Sequence, residues 1–408
     1  MKILFLAHRV PFPPNKGDKI RSYHELVELA RDHEVTLVTF IERPEDRAAE
    51  PELRPLCRGG VHLFERPTWK ALARTASALV TGRSLSLGYF HSPELQERVD
   101  TLLDGGDFDF VVVFSSQMAQ YVIDRTRPPR LMDFVDLDSQ KWALYSRKGP
   151  VRTRLLHAIE ARRLVRFERE VAARFEHVSV ISSAEAEDVR RLLSRPEVLV
   201  VPSGVDLQYF TPAQEPESDA EPSVVFTGVM SYFANVDAVR FYAEEVHARL
   251  RQSFPGLRFV IAGADPSPAV KRLEKIPGVV VTGTVADMRP FLHRAAVAVA
   301  PLRIARGLQN KILEALACGR PVVAHPEALK GIAATPGEHL LTATTAEEFV
   351  QTVGALLEDA ALRERLGGAG RSFVESHYDW ESCLEPFRSL FRRAPDPVAA
   401  GADRGGRA

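Results

Sequence analysis

RIARGLQNKILEALACGRP, residues 303–321, reads as a basic loop, a helix and a stop signal in succession. Arg303, Arg306 and Gly307 belong to the loop, and Leu308–Ala317 then spaces its apolar residues as an amphipathic helix carrying Lys311 and Glu314. Gly319 suits the left-handed position just past a helix, and Pro321 cannot continue one. The apolar Pro321–Ala324 comes next as a strand. A helix N-terminus offers unpaired N–H groups, and Arg303, Arg306 and Lys311 add positive charge, which is a setting for a phosphate or diphosphate. Glu314, two turns beyond Arg306, is an acceptor-only carboxylate suited to a pair of sugar hydroxyls. An ordinary solvated helix behind a basic loop would carry the same residues, so the rest of the chain has to choose.

Working outward, strand and helix alternate on both sides of this segment. Lys2–Ala7, Glu34–Phe40, Val61–Phe64, Phe108–Phe114, Arg130–Phe134 and Val178–Ser182 read as strands, with helices over Ile20–Arg31 and Val151–Ala173. The run FDFVVVF at 108–114 is continuously apolar, as a parallel strand covered on both faces requires. Residues 213–223, AQEPESDAEPS, break the rhythm with a polar, acidic, Pro-containing stretch. The alternation restarts with strands at Val224–Thr227, Leu257–Ala262, Val279–Thr282, Val297–Ala300 and Pro321–Ala324. Helices over Asn235–Arg251, Ala286–Ala295, Leu308–Ala317 and Ala346–Glu358 separate them. Two βα arrays predict an α/β protein of two doubly wound, Rossmann-like domains, with ligands in the cleft at the carboxyl ends of the strands.

The 408 residues exceed one ordinary core, and a formal net charge of −1 excludes the basic excess of a nucleic-acid binder. Cys57, Cys318 and Cys383 are scattered without metal-ligand spacing and read as reduced thiols of a cytoplasmic protein. The first apolar run breaks at His8 and Arg9, so it reads as a buried strand rather than a leader.

With that layout, the chain resembles the glycosyltransferases of family 4, which have the GT-B fold. The residues that carry the resemblance are Val201-Pro202-Ser203-Gly204-Val205-Asp206 with Phe210 and Pro212, Val224–Gly228, Val297–Pro301 with Gly307 and LEALACGRPVVA, and Tyr378-Asp379-Trp380. A narrower resemblance, to bacterial sugar transferases of exosortase and exopolysaccharide clusters, rests on Leu131–Ser139 with Lys141-Trp142 and on Ser115–Ala119. The resemblance implies an acceptor-side domain over 1–205, a linker over 206–223 and a nucleotide-sugar-binding domain over 224–377. It also implies a helix over 378–392 that returns to the first domain; composition makes 393–408 a disordered tail.

What the resemblance implies for chemistry is retaining transfer from a nucleotide diphosphate sugar to a saccharide or lipid-linked acceptor in exopolysaccharide synthesis. Gly228, Arg303, Gly307, Leu308 and Glu314 are then donor-binding, with Asp136, Arg306 and Lys311 at the reacting centre. His8, Gly17 and Asp18 lie on the acceptor side. Two departures stand out. Members carry two glutamates with seven residues between them; here Glu314 is the second and Arg306 stands at the first. The Arg and Lys that many members place after Gly228 are also missing, and Arg303, Arg306 and Lys311 are expected to supply that charge.

Other readings remain open for several of these residues. Asp136 faces the cleft or caps the helix holding Trp142, Asp18 marks a substrate loop or caps a helix, and His8 is acceptor-side or structural. No Asp-x-Asp lies in a donor-domain loop, so a metal-independent reaction without a cofactor is expected. Basic, amphipathic 151–173 is a candidate for peripheral contact with the inner membrane face. The rival functions are a sugar-nucleotide epimerase of the same fold and a non-catalytic sugar-nucleotide-binding scaffold.

Overall fold

A computed structural model describes residues 1–66, 68–149, 151–213 and 221–392. The first array forms β1 (Lys2–Ala7), β2 (Glu34–Ile41), β3 (Gly60–Glu65), β4 (Phe110–Phe114), β5 (Arg130–Val135), β6 (His177–Val180) and β7 (Leu199–Val200). These pair in parallel in the order β3-β2-β1-β4-β5-β6-β7. The second array forms β8 (Ser223–Thr227), β9 (Arg258–Ala262), β10 (Val279–Gly283), β11 (Val297–Ala300), β12 (Val322–Ala324) and β13 (Leu341–Thr342). Its order is β10-β9-β8-β11-β12-β13, again parallel. In each sheet the order reverses beside the first strand, at β1/β4 and at β8/β11. Those switch points open the crevices in which parallel α/β sheets hold ligands.

Eight of the helices frame the cleft and the surfaces beside it. They are α1 (Gly17–Asp32), α2 (Thr68–Thr81), α3 (Asp138–Lys148), α4 (Arg154–Arg174), α5 (Ser183–Leu193), α6 (Phe233–Phe241), α7 (Asn310–Ala317) and α8 (Glu385–Arg392). The end of α7 is the one its sequence announces. Gly319 has φ +67°, its N–H bonds the Leu316 carbonyl, and the Arg320 N–H bonds that of Ala315. This double return satisfies the last carbonyls of the helix and turns the chain into β12.

Several boundaries differ from the sequence reading. Strand β4 starts at Phe110 rather than Phe108, and just ahead of it the Asp109 carboxylate accepts the Lys2 N–H at 2.7 Å. The single helix expected over Asn235–Arg251 is α6 followed by a π turn over Tyr242–His247 and a short helix. The wider turn puts Tyr242 and His247 both in the core. Helix α7 begins at Asn310, not Leu308, since Gly307 is left-handed and the Leu308 side chain packs into the core instead. Part of the expected linker, 214–220, and the tail 393–408 lie outside the described residues.

Each sheet is buried on both faces. Ile3, Phe5 and Leu37 share a core with Phe387 and Phe391 of α8, so the end of the described chain packs beneath the first sheet. The chain passes from one sheet to the other beside that return. Val205 N–H bonds the Tyr378 carbonyl at 2.8 Å, and Trp380 stacks on His24 with centroids 4.0 Å apart. Cys57, Cys318 and Cys383 are buried and unpaired.

Backbones also approach closely beyond β8 and β9. A Cβ built on Gly263 would stand 1.7 Å from the Gly228 carbonyl oxygen, at a φ of +148° that side chains rarely adopt. Overpacking costs about 1–3 kcal/mol and such a conformation about as much again. Gly263→Ala is therefore expected to lower the thermal midpoint by roughly 5–15 °C, read by calorimetry on the full chain.

Candidate functional site

The cleft has a floor and two walls. On the second domain the floor is the Gly228 turn. Gly228 has φ +150°, and a Cβ there would fall 2.9 Å from Asn235 Nδ2 and 3.4 Å from Lys311 Cε. Asn235 folds the turn back by donating from Nδ2 to the Val229 carbonyl at 2.9 Å. Lys311 reaches into this space from the first turn of α7. Its Nζ donates to Asn235 Oδ1 and Gln309 Oε1, both at 3.4 Å, and lies 5.2 Å from the Phe226 ring centre. Among the described residues, no carboxylate pairs with this ammonium within 4 Å. Burial lowers the Lys311 pKa to about 8 against the pull of Glu314. Burial likewise raises Glu314 to about 7 despite Lys311. They are not the solvated helix charges that the bland reading of 303–321 allowed.

The N-terminus of α7 carries no side-chain cap. It points across the cleft, where a Cβ on Gly17 would sit 3.7 Å from Asn310 Nδ2. Gly307, at φ +64°, brings its backbone against Asp136, whose Oδ2 would lie 2.8 Å from a Cβ there. Gly228, Gly307, Leu308, Lys311 and Glu314 thus gather at one place with Asp136 and Gly17 opposite.

The two arginines of the loop are spent elsewhere, which corrects the expectation that they add free charge beside a diphosphate. Arg303 forms a two-point ion pair with Asp237 of α6, at 2.9 and 3.2 Å, and covers the Phe241 ring. Arg306 crosses the cleft to Glu185, at 3.0 Å, and Asp188, at 2.8 Å, on α5. It precedes the helix, so the two-turn spacing to Glu314 that the sequence suggested does not exist. The carboxylates that claim these arginines are far away in sequence and carried no signal.

On the first domain, Asp136 follows Val135, a β-branched residue held at φ +64° where β5 and β6 slip register. Such strain, worth about 1–3 kcal/mol, points to a constrained site. The N-cap of α3 is Leu137, not Asp136. Burial raises the Asp136 pKa and the nearby Asp138 raises it further. Asp138 itself overcomes burial by accepting from Gln117 Nε2 at 2.6 Å and pairing with Lys141 at 2.8 Å, and it ends below the ordinary range. Ser116, Gln117 and Lys141 had no assigned role in the sequence; they anchor the neighbour of Asp136.

Asp18 is an ion-pair hub rather than a helix cap. It meets His8 Nε2 at 3.2 Å and Arg9 Nη1 at 2.7 Å, and these partners hold its pKa far down against burial. His8 stacks on Phe114 and meets Phe90 edge-on, with Nδ1 buried and unpartnered. In the stretch 151–173, Glu160, Leu164, Glu168, Val171 and Ala172 are buried, and Arg163 and Arg169 donate to backbone carbonyls. The other face of the stretch stays outside: Arg152, Arg154, Arg162, Arg166 and Arg169 are exposed together with Val151, Leu155 and Leu156.

A family described as glycosyl transferases group 1 matches residues 221–359, and one described as glycosyl transferase 4-like domain matches 21–204. The chain belongs to the group 1 glycosyltransferases. Curated relatives include a GDP-mannose-dependent monoacylated alpha-(1-6)-phosphatidylinositol monomannoside mannosyltransferase of Corynebacterium glutamicum. It is 26% identical over 50% of this chain and 58% of its own length. An MMP alpha-(1->4)-mannosyltransferase of Mycolicibacterium hassiacum is 26% identical over 58% of each chain. The chain thus spans just over half the length of these relatives. Among solved structures, sucrose-phosphate synthase of Thermosynechococcus elongatus superposes with a TM-score of 0.73 at 16% identity, over 98% of this chain and 100% of that one. HepE of Anabaena, solved with UDP and glucose, gives 0.68 at 15% identity over 96% and 99%. The two sheets and their cleft are the GT-B fold.

In this glycosyltransferase the wall beneath Asp136 contains a further buried acid. Glu168 is inaccessible and accepts from the Ser139 N–H at 3.0 Å, and burial lifts its pKa from an ordinary 4.5 to about 8. Between those values the folded chain holds a proton that the unfolded chain has released, so stability falls as pH rises through the window. Glu168→Gln, which does not titrate, is expected to melt above wild type near pH 8.5, with the gap closing toward about pH 5. Melting curves across that range check this; a constant gap would contradict the assigned shift.

Proposed function

We propose that the chain transfers a sugar from a nucleotide diphosphate sugar, with retention, to a saccharide or lipid-linked acceptor in bacterial exopolysaccharide assembly at the cytoplasmic membrane face. The observation that carries the reading is the Lys311 ammonium, held between the Gly228 turn and the uncapped start of α7 with no carboxylate of the described residues within 4 Å. Breaking the bond between the sugar C1 and the diphosphate sends the electron pair to the leaving group. Charge must be met there as it forms. A charge-assisted bond from Lys311 is worth about 1.5–3 kcal/mol, more than the roughly 0.3–1 kcal/mol of a helix terminus. Glu314 accepts the ribose hydroxyls, Gly307 and Leu308 offer backbone, and Asp136 borders the sugar. His8, Gly17 and Asp18 border the acceptor.

HepE was solved with UDP-glucose, and the Corynebacterium relative is named for GDP-mannose and a phosphatidylinositol mannoside, which supports a nucleotide-sugar donor and admits a lipid-linked acceptor. The narrower resemblance over Leu131–Ser139 is what favours the exopolysaccharide setting. Arg306 closes the domains across the cleft in this reading, rather than holding phosphate.

A panel of nucleotides and nucleotide sugars, tested by thermal shift in EDTA, checks the proposal. One nucleoside diphosphate is expected to stabilise wild type, to lose affinity roughly ten- to a hundredfold in Lys311→Ala, and to change little in Arg303→Ala. No shift with any nucleotide would overturn the donor-site assignment. Binding needs Glu314 ionised and Lys311 charged. It should rise as pH climbs through about 7 and fall as pH passes about 8, which titration calorimetry across pH checks.

A further inference from the structure

Helix α2 is built the wrong way round for a soluble surface. Its two fully buried positions are the small Ala71 and Ala78, while Trp69, Leu72, Leu79 and Val80 face solvent, Trp69 at 70% and Val80 at 88% exposure. At 100° per residue these four fall, with Ala76, within about a quarter of the helix circumference. Glycine in the next helix sets the inner fit: a Cβ on Gly88 would lie 2.8 Å from that of Ala78. The core therefore takes the small face and leaves the large apolar one outside.

A second apolar group adjoins it. Val151 and Leu155 are 76% and 74% exposed where the chain enters α4, with Leu156 beside them. Leu156, Glu160 and Arg163 recur on one face of α4, and that face is fastened to the end of α2. Arg163 donates to the Ala78, Leu79 and Arg83 carbonyls at 3.0–3.2 Å. Glu160 accepts from Ser84 Oγ and the Leu85 and Ser86 N–H groups at 2.6–2.9 Å. Seven of the eight large exposed apolar side chains of the described residues lie on α2 or where the chain enters α4.

Its charge has one sign. No Asp or Glu occurs between Glu65 and Glu94, where the charged residues are Arg66, Lys70, Arg74 and Arg83. None occurs between Asp138 and Glu160 either, a stretch that includes Arg147, Arg152 and Arg154, all exposed. A chain of net charge −1 has collected cations around its most apolar surface. Apolar side chains that enter the acyl boundary, ringed by cations that stay at the headgroups, match an anionic bilayer.

We propose that α2 and the start of α4 dock this glycosyltransferase on an anionic lipid surface, with Trp69 and Leu155 inserted. The surface flanks the first domain's half of the cleft. Arg66, just before α2, covers the Phe90 ring, which in turn meets His8 edge-on. Lys148, just before α4, donates to the Arg303 carbonyl of the other wall at 3.0 Å. Docking there leaves the cleft mouth at the membrane, so an acceptor carried by a lipid need lift only its headgroup. The docking surface shares no residue with the donor site, so each reading fails or holds independently.

The test adds phosphatidylcholine vesicles, with and without phosphatidylglycerol, to the full chain. Binding is expected only with phosphatidylglycerol, to weaken with salt, and to shift the emission of Trp69 to the blue. Trp69→Phe should keep binding and lose the blue shift. Leu72→Ser with Val80→Ser, and separately Arg152→Ala with Arg154→Ala, should weaken binding about tenfold or more while leaving the nucleotide thermal shift at its wild-type value. No binding by a folded chain would overturn the proposal. So would binding without a blue shift, equal binding to uncharged vesicles, or a dimer in ultracentrifugation that the Leu72/Val80 variant abolishes.

Discussion

A lysine ammonium that leaves bulk water needs oxygen atoms or an anion around it, and the architecture of the cleft depends on where Lys311 finds them. It can lie along the Gly228 turn only because that residue has no side chain to block its Cε. Gly228 can hold that path only because Gly263 lets its carbonyl pass within van der Waals range of a bare α-carbon. Asn235 completes the pocket by bonding the turn with its amide nitrogen and the ammonium with its oxygen. Two amide oxygens at 3.4 Å are weak partners for a cation, and burial lowers its pKa. An anion placed there would be gripped in proportion to what the lysine now lacks.

The two arginines do a different job from the lysine, although all three stand close together in sequence. Arg303 binds its loop to α6 within one domain, and Arg306 binds the same loop to α5 of the other. The backbone between them is therefore held at two fixed points, and Gly307 follows directly on the second. It meets Asp136 at the one position where a glycine leaves room. Across the cleft, the strained Val135 and the anchored Asp138 hold Asp136 from the other side. Both walls are thus positioned by bonds that would have nothing to do with substrate.

The parallel strands were legible because each is a short apolar run buried on both faces, and the stop after α7 because Gly and Pro have few other uses there. Lys311 and Glu314 were legible as a pair on one helix turn. The partners of Arg306 were not, since Glu185 and Asp188 are ordinary solvent-facing acids by local pattern and meet it only after two domains close. Strands β7 and β13 are two residues each, too short to leave a period. Helix α2 escaped notice for the opposite reason: its pattern is clear, but a reading that assigns large apolar residues to the core has no place for a helix facing outward.

The return of α8 to the first sheet has a consequence for how the molecule is made. Ile3 and Phe5 leave the ribosome ahead of both sheets' remaining strands, while Phe387 and Phe391, which cover them, emerge after the last strand. Throughout the synthesis of the second domain, the part of that face covered by Phe387 and Phe391 stays open to solvent, beside the part that Leu26, Leu29 and Leu53 already cover. The nascent chain therefore carries an unfinished domain while its second sheet is being made, and that face is sealed only once α8 has emerged.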